Sequence, residues 1–513
     1  MNKKILILTG KLAEKDVMKY LSKYSQDDIE IKVLDISLAA FITPKLIINR
    51  LKGYDLSEYK YILVPGLMVG DLLPLEKSLG IKIYRGPKYA CDIPVVLESQ
   101  IELSRDISAD KLLIDRGVDE YKNIVGELNK SGKELLKIGN LKIGNNFPPR
   151  ILAEIVDAPK LTIDKIISKA KYYLENGADM LDIGGIVGEN NSRKLIEIIE
   201  ELKSKFKDVP ISIDSLNPEE IESGVEAGAD LVLSLDAGNL NELKNLDKKI
   251  CYTIIPTNVK KGIFPTDPEK RVEKLIENIT IAKKFGFTKI LADPLLESPI
   301  KPGIMNSLMG YYQFNKKYPT IPTLAGIGNV FELIDADSIG INAILASIVI
   351  ELNISVCLTT EYSKKSRKAV EEITTGIKMA YLANYKNQPP IGLPFNLLKA
   401  KSKKDLIPSY QIKDEKLTRE IKNLFNYVSD PLGYFKIWID HSMKKIFVNY
   451  YKNDQLIFTI SGTIAEIIGK ELIKKKLVSR LDHALYLGRE LQKAEICLFL
   501  GKSYAQDVKF YEI

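Results

Sequence analysis

At 513 residues the chain exceeds what one hydrophobic core holds, and roughly two to four domains are expected. Its 74 Lys and Arg against 67 Asp and Glu leave a net charge of only +7, with both signs interspersed, so no nucleic-acid partner is expected. Four isolated cysteines (Cys91, Cys251, Cys357 and Cys497), none in a CxxC pair, speak against a disulfide framework and a zinc site and for buried thiols in a reducing cytoplasm.

The first apolar run, Ile5–Leu8, is too short for a signal peptide and reads as a β-strand. No run approaches the length of a membrane-spanning helix, so no membrane partner is expected and the cytoplasm is the expected compartment. The Lys-, Ile-, Glu- and Asn-rich composition suits a thermophile. Short β-branched runs at Ile5–Leu8, Ile31–Leu34, Tyr61–Val64 and Val95–Leu97 alternate with amphipathic stretches such as Glu14–Tyr24. That alternation predicts a small α/β domain with a parallel sheet, flavodoxin- or Rossmann-like, over 1–145. A Gly/Asn/Pro-rich stretch at 138–150 marks its end.

From Arg150 the strand-then-helix rhythm becomes regular. Strands are predicted at Ile151–Val156, Met180–Ile183, Pro210–Ile213, Leu231–Leu235, Cys251–Ile255, Ile290–Ala292, Ile321–Leu324 and Ile354–Leu358. Helices follow most of them, at Asp164–Glu175, Ser192–Lys205, Pro218–Ala227 and Glu269–Phe285 among others. Asn217 offers an N-cap ahead of Pro218 and two glutamates, and Gly177 and Gly228 stand where helices should turn. Eight such units over 146–385 predict a (β/α)8 TIM barrel. A changed composition over 386–404 reads as a linker. Residues 405–513 predict an α+β domain: a helix, strands at Tyr434–Ile439, Lys445–Tyr450 and Leu456–Ile460, helices at Thr463–Lys474 and Ser479–Ala494, and a closing strand at Ile496–Leu500. The fold class is therefore α/β, a central barrel with an α/β domain before it and an α+β domain after it.

Ligand-facing residues of such barrels lie at the C-terminal ends of the strands. Here those ends carry Glu154, Asp182, Asp214, Ser234, Asp236, Asn258, Asp293, Asn329 and Glu361, while cations lie further out, at Arg193, Lys260, Lys261, Lys364, Lys365 and Arg367. An inner ring of carboxyl and carboxamide groups suits a planar heterocycle with paired N–H donors, and an outer basic rim suits a phosphate or another anionic tail. Any single acid after a strand serves equally well as a helix N-cap. Asp214 stands apart, because Asn217 can take the capping role, and Asp293 precedes a turn-fixing proline. His441 and His483, the only histidines, lie outside the barrel, so a Ser-His or Cys-His nucleophile within it is excluded; His483 reads as a satisfied helix residue. Phe331 stands where a dinucleotide fingerprint needs its third glycine, so Gly326-Ile-Gly328 is not a Rossmann loop. No zinc, haem or NAD site is expected.

Leu181-Asp-Ile-Gly-Gly185, Ile213-Asp-Ser215 with Ala227-Gly-Ala-Asp230, and Ala292-Asp-Pro294 resemble, in order and spacing, the motifs of pterin-binding barrels. That superfamily includes the dihydropteroate synthases and the methyltetrahydrofolate:corrinoid methyltransferases. The three-domain layout is most similar to archaeal proteins called dihydropteroate synthase-related. The resemblance implies that Asp214 and Asp293 anchor a pterin, that Asp182 organises the second loop, and that Ser234 is nearest to a family asparagine. Asn329 is implied to contact the ring, the alternative being an N-cap. The synthases' first loop helps bind magnesium and pyrophosphate; Glu154 stands there in this chain, and the strand 7 and strand 8 basic motifs are replaced by Gly328-Asn-Val330 and Leu358-Thr-Thr360. The loop cations are candidates to take over anion binding. Asp293-Pro-Leu295 and Gly326-Ile-Gly-Asn329 match the methyltransferase branch better.

The resemblance implies a transferase that joins a dihydropterin-methyl (pyro)phosphate to an arylamine, on the way to a tetrahydromethanopterin- or folate-type cofactor. Pterin is then the ligand, an anionic co-substrate its companion, magnesium an open question, and a homodimer the analogous assembly. The alternatives are methyl transfer from a pterin to a corrinoid partner and a non-catalytic pterin-binding scaffold.

Overall fold

The computed structural model describes residues 3–401 and 428–512; the helix predicted just after 405 lies outside the described residues. By internal contacts the chain divides into two units, the described residues of 1–124 with 391–421, and those of 125–390 with 422–513.

In the first unit four parallel strands, β1 (Lys4–Gly10), β2 (Ile29–Leu34), β3 (Tyr59–Val64) and β4 (Ile83–Arg85), are ordered β2-β1-β3-β4. Alternate residues feed two separate cores: Leu6, Leu8, Ile62 and Val64 on one face, Ile7 and Leu63 on the other. A sheet covered on both faces explains why its strands read as continuous apolar runs. The predicted strand Val95–Leu97 is instead part of a helix, Ile93–Glu98, with Pro94 in its first turn and Ile93 and Val96 buried one helical turn apart. The fourth strand is the three-residue Ile83–Arg85, too short to show a period.

In the second unit a hairpin, β5 (Leu136–Ile138) and β6 (Leu141–Ile143), precedes eight parallel strands. These are β7 (Arg150–Ile155), β8 (Met180–Gly184), β9 (Ile211–Asp214), β10 (Leu231–Leu235), β11 (Cys251–Ile254), β12 (Ile290–Ala292), β13 (Leu324–Gly326) and β14 (Val356–Thr360). They form one sheet, β12-β11-β10-β9-β8-β7-β14-β13, and a parallel bridge from Ala292 to Thr323 brings its two edges together. Asn217 caps the helix after β9 as expected, accepting from the Glu219 N–H, and Gly177 and Gly228 both sit at φ +100°, which L side chains resist. The predicted seventh strand, Ile321–Leu324, is displaced to Leu324–Gly326, since Pro322 has no N–H to donate.

Strand alternation splits the barrel's apolar residues into two populations. Ile151, Ala153, Ile155, Leu181, Ile183 and Val232 face the surrounding helices. Leu152, Met180, Leu231, Leu233, Cys251, Leu291, Leu324 and Val356 fill the interior, where Leu136, Ile138 and Ile143 of the hairpin join them. The hairpin closes the N-terminal end: the Arg150 Nε donates to Lys142 O at 3.2 Å and the Cys251 thiol to Lys137 O at 3.0 Å.

The C-terminal portion packs an antiparallel sheet, β15 (Tyr434–Asp440), β16 (Lys445–Lys452) and β17 (Gln455–Gly462), against helices Ala465–Lys474 and Leu481–Leu500. The closing strand predicted at Ile496–Leu500 is the last turn of the second helix, which Gly501 ends at φ +75°. His483 is buried, its Nδ1 3.1 Å from Asp430 Oδ2. All four cysteines are buried, and none forms a disulfide.

Because Ile138 is fully buried in the barrel floor, Ile138→Ala is expected to remove about 2–5 kcal/mol of unfolding free energy. Urea unfolding of the two proteins measures this; an unchanged midpoint would show that the hairpin does not complete the core.

Candidate functional site

One pleat beyond the apolar floor the chemistry of the interior changes. Two residues after Leu152, Met180 and Leu291 come Glu154, Asp182 and Asp293, and two after Ser212 comes Asp214. A strand period of two gives each of these acids the same inward face as the residue before it. Register then sets their neighbours: Glu154 pairs with Asp182, Asp182 with Ser212, and Gly184 with Asp214. Gly184 has no side chain to obstruct the row, and a Cβ there would stand 2.9 Å from Glu154 Oε1. The result is a cluster in which Glu154, Asp182 and Asp214 each place a carboxyl oxygen within 4.8 Å of the others.

Each acid has its own support. Ser212 donates to Asp182 Oδ1, whereas Asp182 Oδ2 is buried with no hydrogen-bond partner. Ser234 donates to Asp214 Oδ1 at 2.8 Å from a backbone held at φ +64°, where β10 breaks register. Asp293 Oδ1 accepts from Leu295 N at 2.7 Å and lies 2.6 Å from the Tyr311 hydroxyl, which is also 2.8 Å from Leu324 O. Behind Asp293 stands Arg271, fully buried in the helix Pro268–Lys284. Its guanidinium donates to Pro265 O, Pro294 O, Leu295 O and Ser307 Oγ and pairs with Glu297, so it ties down the loop that carries Asp293.

Burial dominates the electrostatics. It raises the Glu154 carboxyl to about 8, with the field of Asp214 adding to the shift. Asp182 is held well above the ordinary carboxylate range by burial and by its neighbours Asp214 and Glu154, and burial raises Asp214 as well. Asp293 reaches about 6, burial winning over the Tyr311 and Leu295 hydrogen bonds. Like charges crowded over a dry floor favour the protonated form. At the end of β14, Glu361 is raised to about 7 by burial while accepting from Tyr172 and from the Val370 N–H that opens helix Ala369–Tyr385. Between the two glutamates sits Lys169, whose ammonium burial disfavours and whose charge Glu361 and Glu154 support.

Glu154, Asp182, Asp214 and Ser234 are thus brought together, and the charge of Asp214 reaches Asp293. Asp236 is occupied in joining two loops, accepting from Gly238 N in its own and from Thr257 Oγ1 and Val259 N in the one after β11. Asn329 lies in the short helix Gly328–Phe331, caps nothing, and donates to Leu296 O at 3.0 Å, joining the β13 loop to the β12 loop. Of the loop cations, Lys260 pairs with Glu242, Lys365 with Ile334 O and Asp335, and Arg367 donates to Gly501 O at 3.4 Å. Lys368 beside it donates to Phe499 O at 2.6 Å, so this loop neutralises the C-terminal end of helix Leu481–Leu500. Arg193, Lys261 and Lys364 are exposed.

Sequence reading missed Arg271, Tyr311 and Lys169. A signal existed for Lys169, which falls on the face that Ile166, Ala170 and Tyr173 bury. Arg271 and Tyr311 act across a loop or a strand, and no local spacing announces them.

A family profile described as "Pterin binding enzyme" matches residues 156–330, which contain Asp182, Asp214, Asp293 and Asn329 but not Glu154. Residues 3–88 match a family of unknown function (DUF6513), and 429–507 match PterinBD-DUF4346. An uncharacterized protein of Methanocaldococcus jannaschii is 38% identical over 99% of this chain and 99% of its own length. A dihydropteroate synthase of Clostridium beijerinckii is 29% identical over 147 residues, 26% of this chain and 54% of that one. A solved dihydropteroate synthase of Yersinia pestis aligns with 49% of this chain and 99% of its own, at 17% identity and a TM-score of 0.40. The chain belongs to one family with the M. jannaschii protein, a dihydropteroate synthase-related family built around a pterin-binding TIM barrel.

Proposed function

We propose that the inner carboxyl ring binds the pyrimidine edge of a reduced pterin and that the chain is a transferase acting on that pterin. The observation that carries this reading is the pairing of Asp293 and Asp214 on one inward layer, over an apolar floor, each already held in place by hydrogen bonds to one oxygen. A carboxylate fixed in this way presents its remaining acceptor capacity to adjacent ring N–H and amino donors, a fork-shaped match worth more in a dry site than in water. Arg271 keeps the Asp293 loop in register, so the acceptor is preorganised rather than assembled on binding.

The reaction that suits this site is condensation of a dihydropterin-methyl (pyro)phosphate with an arylamine. The amine nitrogen bonds to the exocyclic methylene carbon, the carbon–oxygen bond to phosphate breaks, and the amine proton is lost. Asp214 and Asp293 hold the ring in place for this displacement. Arg193, in the first turn of helix Ser192–Lys205, and Lys261 and Lys364 are exposed cations that would receive the leaving anion. A cofactor of folate or tetrahydromethanopterin type is the product class. Methyl transfer from a reduced pterin is the second reading, favoured by the contact of Asn329 with Leu296, which couples the two loops that resemble the methyltransferase branch.

Quenching of the fluorescence of a dihydropterin by the full chain tests the binding step. Asp293→Asn, with its fold verified by circular dichroism, is expected to weaken binding by roughly 30- to 100-fold, the worth of a charge-assisted pair. Equal binding by the variant would sink the pterin reading. Product formed from a dihydropterin pyrophosphate and an arylamine supports the condensation; methyl transfer without it selects the second reading. Wild-type affinity is also expected to fall as pH drops through about 6, where Asp293 takes up a proton and loses its charge and its two-oxygen acceptor fork; affinity constant from pH 5 to 8 contradicts that role.

Stability in the absence of ligand and metal should move the other way. Folded Glu154 keeps its proton to about 8, whereas an unfolded glutamate loses it near 4.5. Across that window the folded state binds more protons, so the melting temperature is expected to decline as pH rises. Glu154→Gln should flatten this slope, and an identical slope in the variant would show that Glu154 does not titrate as described.

A further inference from the structure

We infer that Glu154, Asp182 and Asp214 together hold one hard divalent cation, of the magnesium or manganese class, at the floor of the barrel mouth. The three carboxyls come from adjacent strands and their nearest oxygens lie within 4.8 Å of one another, close enough to share one ion after small side-chain adjustments. The donor set is entirely carboxylate oxygen, which selects hard cations over soft ones.

A cluster of acids alone would not establish a site. The second observation is Asp182, which is completely buried and leaves Oδ2 without any hydrogen-bond partner. Register places Asp182 on the middle strand of the three, between Glu154 on one side and the strand of Asp214 on the other, so the carboxyl with the orphaned oxygen is the central one of the cluster. A buried carboxylate oxygen left unsatisfied is costly, and a cation is the partner that would satisfy all three groups at once. The surroundings fit this use. Ser212 and Ser234 each take one oxygen of Asp182 and Asp214, fixing the carboxyls as ligand-supporting groups do. Gly184 leaves the space beside Glu154 Oε1 open, where a Cβ would come to 2.9 Å.

The cation site does not rest on the pterin reading. Asp293 and Asn329 take no part in it, and Asp214 is the one residue that serves both. The site also differs from one built on the first loop alone, because two of its three ligands come from β8 and β9.

Manganese(II) is the probe, because its free aqua ion gives a sharp electron paramagnetic resonance sextet that fades on binding. The full chain, stripped of metal and without pterin, is titrated with Mn2+ alone. The expected result is one ion bound per chain, with free signal restored by excess Mg2+ and a melting temperature that rises with Mn2+. Glu154→Gln, nearly isosteric, should weaken Mn2+ at least about tenfold, and Asp182→Asn should do likewise. Wild-type protein that leaves the sextet undiminished at millimolar Mn2+ overturns the proposal, whatever the variants do. So does binding that both variants retain at wild-type strength. Loss of dihydropterin binding with Mn2+ binding intact would instead strike the pterin reading and leave the cation site standing.

Discussion

Carboxyl groups standing directly on an apolar floor are the constraint from which the rest of this site follows. The hairpin β5–β6 closes the barrel from below, and one layer of Leu, Met, Cys and Val seals the interior. The next inward residues on β7, β8, β9 and β12 are acids. In that position they are costly: their ionised forms lose hydration, and three of them repel one another at short range. Serine and tyrosine hydroxyls and a single backbone N–H offset part of the cost. What is left calls for a partner that brings either N–H donors or positive charge. In the reading proposed above, the edge of a reduced pterin supplies the first at Asp293 and Asp214, and the inferred divalent cation supplies the second at Glu154, Asp182 and Asp214.

Much of the polar apparatus around the mouth serves the scaffold rather than a ligand. Asp236 spends its oxygens on its own loop and on the loop after β11. Arg367 and Lys368 meet carbonyls at the end of a helix in the C-terminal domain, and Lys365 meets Ile334 and Asp335. Arg271 is the clearest case of support acting at a distance from the ring itself. A fully buried guanidinium with five protein partners costs desolvation, and the network it completes is what fixes the backbone on either side of Pro294.

The barrel was legible because its signal is repeated: each strand is a short apolar run, most of the helices are amphipathic, and Asn217, Gly177 and Gly228 punctuate them by local chemistry. The inward acids were legible for the same reason, since a period of two and a strand end suffice to place Asp182, Asp214 and Asp293. Several elements were not, β4 and the hairpin β5–β6 among them, because three residues show no period. Val95–Leu97 has strand composition, but Pro94 starts a helix there; Ile496–Leu500 has it too, yet continues a long helix until Gly501. The seventh strand slipped because Pro322 interrupts the apolar run. Lys169, Tyr311 and Arg271 escaped because their roles are set by contacts between elements. Tyr311 meets Asp293 across 18 residues, and Arg271 reaches Leu295 across 24. The loop cations were placed near the mouth by position alone, and position could not say that three of them already had protein partners.

A crystal structure of the full chain soaked with a reduced dihydropterin tests the central claim most directly. The account predicts the ring lying flat over the Leu and Met floor, with its pyrimidine N–H and amino groups on Asp293 and a second contact at Asp214. A ring bound elsewhere on the barrel, or a mouth in which Asp293 keeps only Tyr311 and Leu295 as partners at saturating pterin, would contradict it.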